Sequence, residues 1–307
     1  MTEEEPAIIQ TSASALHEEK DESSRRENID ILANILRHNA LYSISIAIVS
    51  FFLIYSLVVG LDPKILGYNP NIINVSFNFR PPSTIFPFGT DDVGRNIFLA
   101  TLYGAPLDAV AGVATILFSL GIGLLFGSAA GYYGGVLDEL VMRVTDIFLA
   151  FPGLVLAAAM AVALGPGMIN AIIAIMVTWW PIYVRLARGE ALSIKQNNYI
   201  VAAKAAGVGR LRIVLSHVIP NTLTSMIAYA TADIGNVIIL FSVLGYLGLG
   251  AQPPRVDLGR IVYDGQSFIQ FAPWISIIPG IIIFVIVISF ALTGDLIRDF
   301  FDPNMRR

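Results

Sequence analysis

Four stretches of this chain run for more than 22 residues without an Asp, Glu, Lys or Arg: 39–61, 109–137, 147–184 and 271–294. A fifth, 221–246, is interrupted by Asp233 alone. A helix rises about 1.5 Å per residue and the hydrocarbon core of a bilayer is about 30 Å thick, so roughly 20 apolar residues make one crossing. The 147–184 run is too long for a single crossing, and Gly165-Pro166-Gly167 divides it, because Gly and Pro break helices. The chain therefore reads as an all-α integral membrane protein with six spans. With 55% hydrophobic and 14% charged residues and a mean hydropathy of +0.71, lipid is its main solvent.

Six spans place both termini on one side. Of the 19 basic residues, 14 then fall with the termini and in the loops facing the same way, Arg143, Arg185, Arg188, Lys195, Lys204, Arg210, Arg212 and Arg298 among them. Only Lys64, Arg80, Arg95, Arg255 and Arg260 fall opposite. Lys and Arg accumulate on the cytoplasmic face, so both termini are expected in the cytoplasm of a multi-pass cell-membrane protein. Residues 1–38 read as an acidic cytoplasmic tail, partly disordered, with no signal peptide; 39–61 is the first span, 62–104 an extracytoplasmic loop, and 105–303 a five-span core.

Within the spans, Gly123, Gly127 and Gly131 fall on one helix face at a spacing that lets another backbone approach. Pro152 and Pro181 are expected to kink spans three and four. Glu139, Arg143 and Asp146 read as a local ion-pair set. Asp91 and Asp92, with Arg95, precede span two, where an acid favours a helix N-terminus; contact with an extracytoplasmic partner is the alternative role. Asn74-Val75-Ser76 fits a glycosylation acceptor.

Chemistry is scarce. The four lysines never follow glycine, so no phosphate-cradling G-x-x-x-x-G-K-[ST] loop exists, and ATP is not expected to bind this chain. There is no cysteine and there are three histidines, which leaves no visible metal site or nucleophilic centre. An enzyme is disfavoured, and so is an ion-driven pump, because paired intramembrane carboxylates are missing.

One segment between spans four and five is neither apolar nor loop-like: "YIVAAKAAGVGRLRIVLSHVIPN", 199–221. Its alanines favour a short helix that Gly207 ends, and "GRLRIVLSHVI" resumes as a second helix up to Pro220. The "AA---G" and "HVIPN" elements resemble the cytoplasmic loop signature of permease subunits in binding-protein-dependent ABC importers. The similarity extends over about residues 86–303 through "FGTDDVGRNIF", "AGYYGGVLDELVMRVTDIFLAFP", "GPG", "SVLGYLGLGAQPP", "APWISIIPG" and "GDLIRDFFDP", in the order of the C-type subunit of the dipeptide and oligopeptide branch.

That resemblance implies a type I importer permease fold, like that of the methionine importer permease. It also implies a pathway shared with a second homologous permease, two ABC ATPases that carry the ATP and Mg, and an extracytoplasmic substrate-binding protein. Lipid is the remaining partner; nucleic acid is not one. The coupling helix, about 199–208, would present Tyr199, Val201, Ala202, Ala203, Lys204, Ala206 and Gly207 to an ATPase. Val201 stands where the family usually has glutamate. Phe241 stands where relatives commonly have an acid, and Asp233 and Asn236 bring polarity deeper into the same span; these three are the candidate pathway residues, a hydrogen bond from Asp233 to the second subunit being the alternative. Asp91, Asp92 and Arg95 are the candidate receptor-facing residues. Peptides are the implied substrate, with oligosaccharides or nickel complexes as alternatives, and a secondary transporter or channel as the competing class.

Overall fold

The computed structural model describes residues 39–301; the acidic tail read at 1–38 and the last six residues lie outside them. The described residues form helices joined by loops, with a single isolated bridge between Thr90 and Asn96. Helix α1 (Ala40–Leu61) starts at Asn39, whose side chain accepts a hydrogen bond from Leu41 N. A loop with two short 3₁₀ turns leads to α2 (Ile97–Tyr133), 37 residues long. Then come α3 (Gly135–Leu149), α4 (Gly153–Leu164) and α5 (Met168–Ile194). After the short α6 (Asn198–Ala205), α7 (Arg210–Tyr246) is again 37 residues, followed by α8 (Leu258–Gln266) and α9 (Trp274–Phe301).

Five of these helices, α1, α2, α5, α7 and α9, are long and apolar enough to cross a membrane. The third span is a bent pair, α3 and α4, meeting at 84° across Ala150–Pro152, and counting it as one span gives six. The break follows from Pro152, which has no N–H to donate and stands at the N-cap of α4. Pro181, by contrast, lies inside an α5 that continues to Ile194.

Helix boundaries differ from the sequence expectation at spans two and five, and α9 runs past 294 to Phe301. Span two, read as 109–137, is a helix that begins at Ile97 and ends at Tyr133, and the residue that set its boundary, Asp108, is wholly buried inside it. Span five, read as 221–246, begins at Arg210. The chain passes Pro220 by widening into a π-turn at Val214–Val218, where the ladder loosens enough to accommodate a missing donor. Asn221 Nδ2 then donates to the His217 carbonyl at 2.5 Å.

The core is alanine-rich, with Ala111, Ala157, Ala161, Ala171, Ala174 and Ala187 all fully covered around Tyr183 and Phe241. Small residues let helices close on one another where lipid supplies no hydrophobic drive of its own. Gly123, Gly127 and Gly131 do form such a face: a Cβ on any of them would strike the backbone of α5 at Tyr183, Val184 or Arg188. A π-turn spans Gly123–Gly127 in that face. The carboxylates of α3 are used differently from the local set the sequence suggests. Arg143 meets only Glu139, at 3.6 Å on an exposed surface, whereas Asp146 pairs with Arg185 at 2.6 Å and Asp138 takes both Nε and Nη2 of Arg188 at 2.5 and 2.7 Å. Two arginines of α5 thus hold α3 across the bundle, the bidentate pair being the more directional.

Candidate functional site

Helix α6 occupies the end of the bundle where α2 finishes and α7 begins. Ile200 is fully buried beneath it, in a cluster with Tyr132, Ala191, Ile194, Ile213, Val214 and Val218. Covering one isoleucine contributes about 1.5–3 kcal/mol, enough to seat a two-turn helix that would be marginal alone. Lys204 Nζ lies 5.1 Å over the Tyr132 ring, and the rings of Tyr199 and His217 meet edge to face at 6.3 Å. The rest of α6 faces outward: Val201 is 55% exposed, Tyr199 45%, and Ala202, Lys204, Ala206 and Gly207 are exposed too, with Ala203 half-buried.

The C-terminus of α6 is fixed by its backbone. Gly207 N donates to Lys204 O at 3.0 Å and Val208 N to Ala203 O at 3.1 Å, the paired bonds of a Schellman motif, and Gly207 has φ +79°. A Cβ at Gly207 would meet nothing within 4 Å. Glycine is therefore required there by conformation rather than by space.

Asp233 and Asn236 lie midway along α7. Asp233 is 2% exposed, and its carboxylate accepts from Trp179 Nε1 at 2.7 Å, Tyr183 OH at 3.0 Å and Asn236 Nδ2 at 2.9 Å. All three donors belong to this chain, two of them to α5, so the carboxylate ties α5 to α7. Asn236 itself is exposed. Phe241 sits fully covered in the alanine-rich core.

At the opposite end, Asp91 is buried and organises the turn before α2: its Oδ1 accepts from Val93 N and Arg95 N, and its Oδ2 pairs with Arg95 Nε at 2.6 Å. Neither Asp91 nor Asp92 caps α2; Asn96 does, accepting from Phe98 N and Leu99 N. Beside this turn, burial pushes the Tyr68 phenol up to about 12.

The sequence did not single out a second pair of buried carboxylates. Asp108 accepts from Ser242 Oγ and Leu258 N, both at 3.1 Å, and Asp257 accepts from Ala251 N at 2.7 Å and Arg260 N at 2.8 Å, capping α8. Burial holds the Asp257 carboxyl above the usual range, against the pull of those N–H bonds. The glycines between them were a usable signal. A Cβ at Gly245 or Gly250 would collide with the Asp257 carboxylate, and one at Gly259 with the Ser242 carbonyl, so the spacing in "GYLGLG" makes room for a buried acid.

Residues 123–307 match the family described as binding-protein-dependent transport system inner membrane component. The chain belongs to that family. Its members named for dipeptides include the dipeptide transport system permease protein DppC of Alkalihalophilus pseudofirmus, 38% identical over 88% of this chain and 88% of that one. The probable D,D-dipeptide transport system permease protein DdpC of Escherichia coli K12 is 40% identical over 79% and 82%. A glutathione transport system permease protein, GsiD of Pectobacterium atrosepticum, is 37% identical over 73% and 75%. Among solved structures, inward-facing conformations of the MetNI methionine ABC transporter align with TM-scores of 0.57 and 0.54 at 20% and 21% identity, covering 67% and 65% of this permease and 98% and 95% of those chains. That likeness establishes the type I importer permease fold.

Proposed function

We propose that this permease is the membrane-spanning, non-catalytic subunit of an ATP-driven importer of di- and oligopeptides. It forms the pathway with a second homologous permease in the cell membrane. ATP and Mg are bound by two separate ATPase subunits, not by this chain, and an extracytoplasmic binding protein delivers the substrate. Dipeptide- and glutathione-named relatives support short peptides as the cargo. The excess of basic residues at the α6 end supports a cytoplasmic placement of that end and of both termini.

The observation that carries this reading is α6: a capped two-turn helix pinned by one buried isoleucine, with small and apolar side chains turned outward. It is shaped to enter a groove in another protein, and the exposed Val201 makes that contact apolar. ATP binding shifts the pathway only if the ATPase meets α6 differently in its two states. Co-expression with affinity-tagged ATPase subunits tests the proposal: the intact chain is recovered with them, whereas recovery without any ATPase would refute it.

Asp233 acts in this account as a brace between α5 and α7. Asp233→Ala leaves the Trp179, Tyr183 and Asn236 donors unmet and is expected to cost about 1–3 kcal/mol, seen as a lower melting temperature in detergent. Unchanged melting with lost transport would instead assign Asp233 to the pathway.

A further inference from the structure

At the end of the bundle opposite α6, a cavity of about 470 Å³ opens between the loop before α2, the turn after α7 and helix α8. That volume lies within the range of small-molecule sites. Its apolar lining includes Val256, Pro254 and Phe268, and its charged lining is Asp92, Arg95, Arg255, Arg260 and Asp264. Three of those five are held by partners within the chain: Arg95 pairs with Asp91 at 2.6 Å, and Arg260 with Asp264 at 2.9 Å.

The remaining two differ. Among the described residues, the side chains of Asp92 and Arg255 make no hydrogen bond or ion pair, with each other or with anything else. Asp92 is partly covered and Arg255 exposed. Asp92 also lies close enough to Asp264 to reinforce the upward push that burial gives the Asp264 carboxyl, against the opposing pull of Arg260 and Arg95. An ammonium set between those carboxylates would relieve their repulsion.

The cavity thus offers one unpaired acid and one unpaired base, separated by more than an ion-pair distance, with apolar residues in the same lining. A simple anion meets Asp92 and Asp264 with the wrong sign, and a simple amine meets the guanidinium groups. A zwitterion with its charges at two ends satisfies both, and a protein surface would be met by a projecting patch more naturally than by a recess of this size.

We propose that this cavity is a subsite for short peptides with free termini, in which Arg255 takes the α-carboxylate and Asp92 the α-ammonium. The inference rests on the peptide-import reading and names what its outer end recognises. The recess holds the peptide after delivery by the binding protein and before entry into the pathway. The apolar lining accepts side chains without selecting among them, as suits a transporter of varied peptides.

The test uses the assembled transporter in nanodiscs without binding protein, and alanyl-phenylalanine in three forms: free, N-acetylated and C-amidated. Charge-assisted hydrogen bonds of the usual strength make the free dipeptide bind about tenfold tighter than either blocked form. Asp92→Asn abolishes the penalty of acetylation and leaves that of amidation; Arg255→Gln does the reverse. Assembly of each variant is checked by size-exclusion chromatography with the ATPase subunits. Equal binding of free and blocked forms by the wild type overturns the subsite. So do variants that leave peptide binding unchanged but lower ATP hydrolysis stimulated by the binding protein, which would make the cavity a docking surface. Peptide uptake by wild-type proteoliposomes supplied with binding protein separates the two levels: uptake without terminus preference sinks the subsite alone, and no uptake of any peptide sinks the import reading with it.

Discussion

The two ends of this bundle solve opposite problems. At the α6 end, one buried isoleucine and one backbone motif seat a helix whose outer face is exposed. At the α8 end, buried carboxylates are met by backbone N–H groups and arginines: Asp91 by the turn before α2, Asp108 by Ser242 and Leu258, Asp257 by Ala251 and Arg260. Helix α6 presents an outward face with few ties of its own, and the α8 end holds a recess whose wall charges are cross-linked. An element that transmits force needs a firm seat and an open face. A rim around a cavity needs walls that hold their charges still, because an acid left unpaired away from water is costly.

The contrast is sharpest at two glycines. A Cβ at Gly259 runs into the Ser242 carbonyl, whereas one at Gly207 meets open space. Gly259→Val is therefore expected to have the largest effect, an overpacking cost of about 3 kcal/mol or more that collapses the yield of monodisperse protein. Gly207→Val should leave the yield intact. Forcing a β-branched residue into the left-handed conformation costs about 1–2 kcal/mol, and this is expected to unwind the end of α6 and weaken recovery with ATPase subunits. Equal loss of yield in the two variants would erase the distinction between the ends.

A smaller effect follows from pH. Burial holds the Asp257 and Asp264 carboxyls above their ordinary range, so the folded state binds their protons more tightly than the unfolded chain does. Their stabilising contribution is full below the ordinary carboxylate value and declines as pH rises through the raised folded values. Melting curves from pH 4 to 7 should show this decline, and Asp257→Asn should flatten it. A wild type that gains stability over that interval through this end would contradict the assignment.

Much of the fold was legible because lipid imposes a length on every uncharged run, and the chain honours it at 39–61, where α1 is Ala40–Leu61. Boundaries failed where charge was taken as the edge of a span. Asp108 lies inside α2 because Ser242 and Leu258 supply its hydrogen bonds from 134 and 150 residues away, and no local pattern announces partners that distant. The same limit hid the Asp146–Arg185 and Asp138–Arg188 ties. Helix α6 was visible because its evidence is local: alanines, then a glycine with the left-handed conformation that ends a helix. The helix that follows was misread at Pro220, since a π-turn lets α7 continue through a residue that usually stops one.

The absence of cysteine from the sequence makes the central claim directly measurable. Val201→Cys places a single thiol on the exposed face of α6, and Arg255→Cys places one at the opposite end. In the assembled transporter, a short bifunctional cross-linker should join residue 201 to an ATPase subunit, with a yield that changes when ATP is bound, and should never join residue 255 to it. An assembled complex in which residue 201 stays uncross-linked in every nucleotide state, or in which residue 255 reaches the ATPase, would contradict the account of α6 as the docking element.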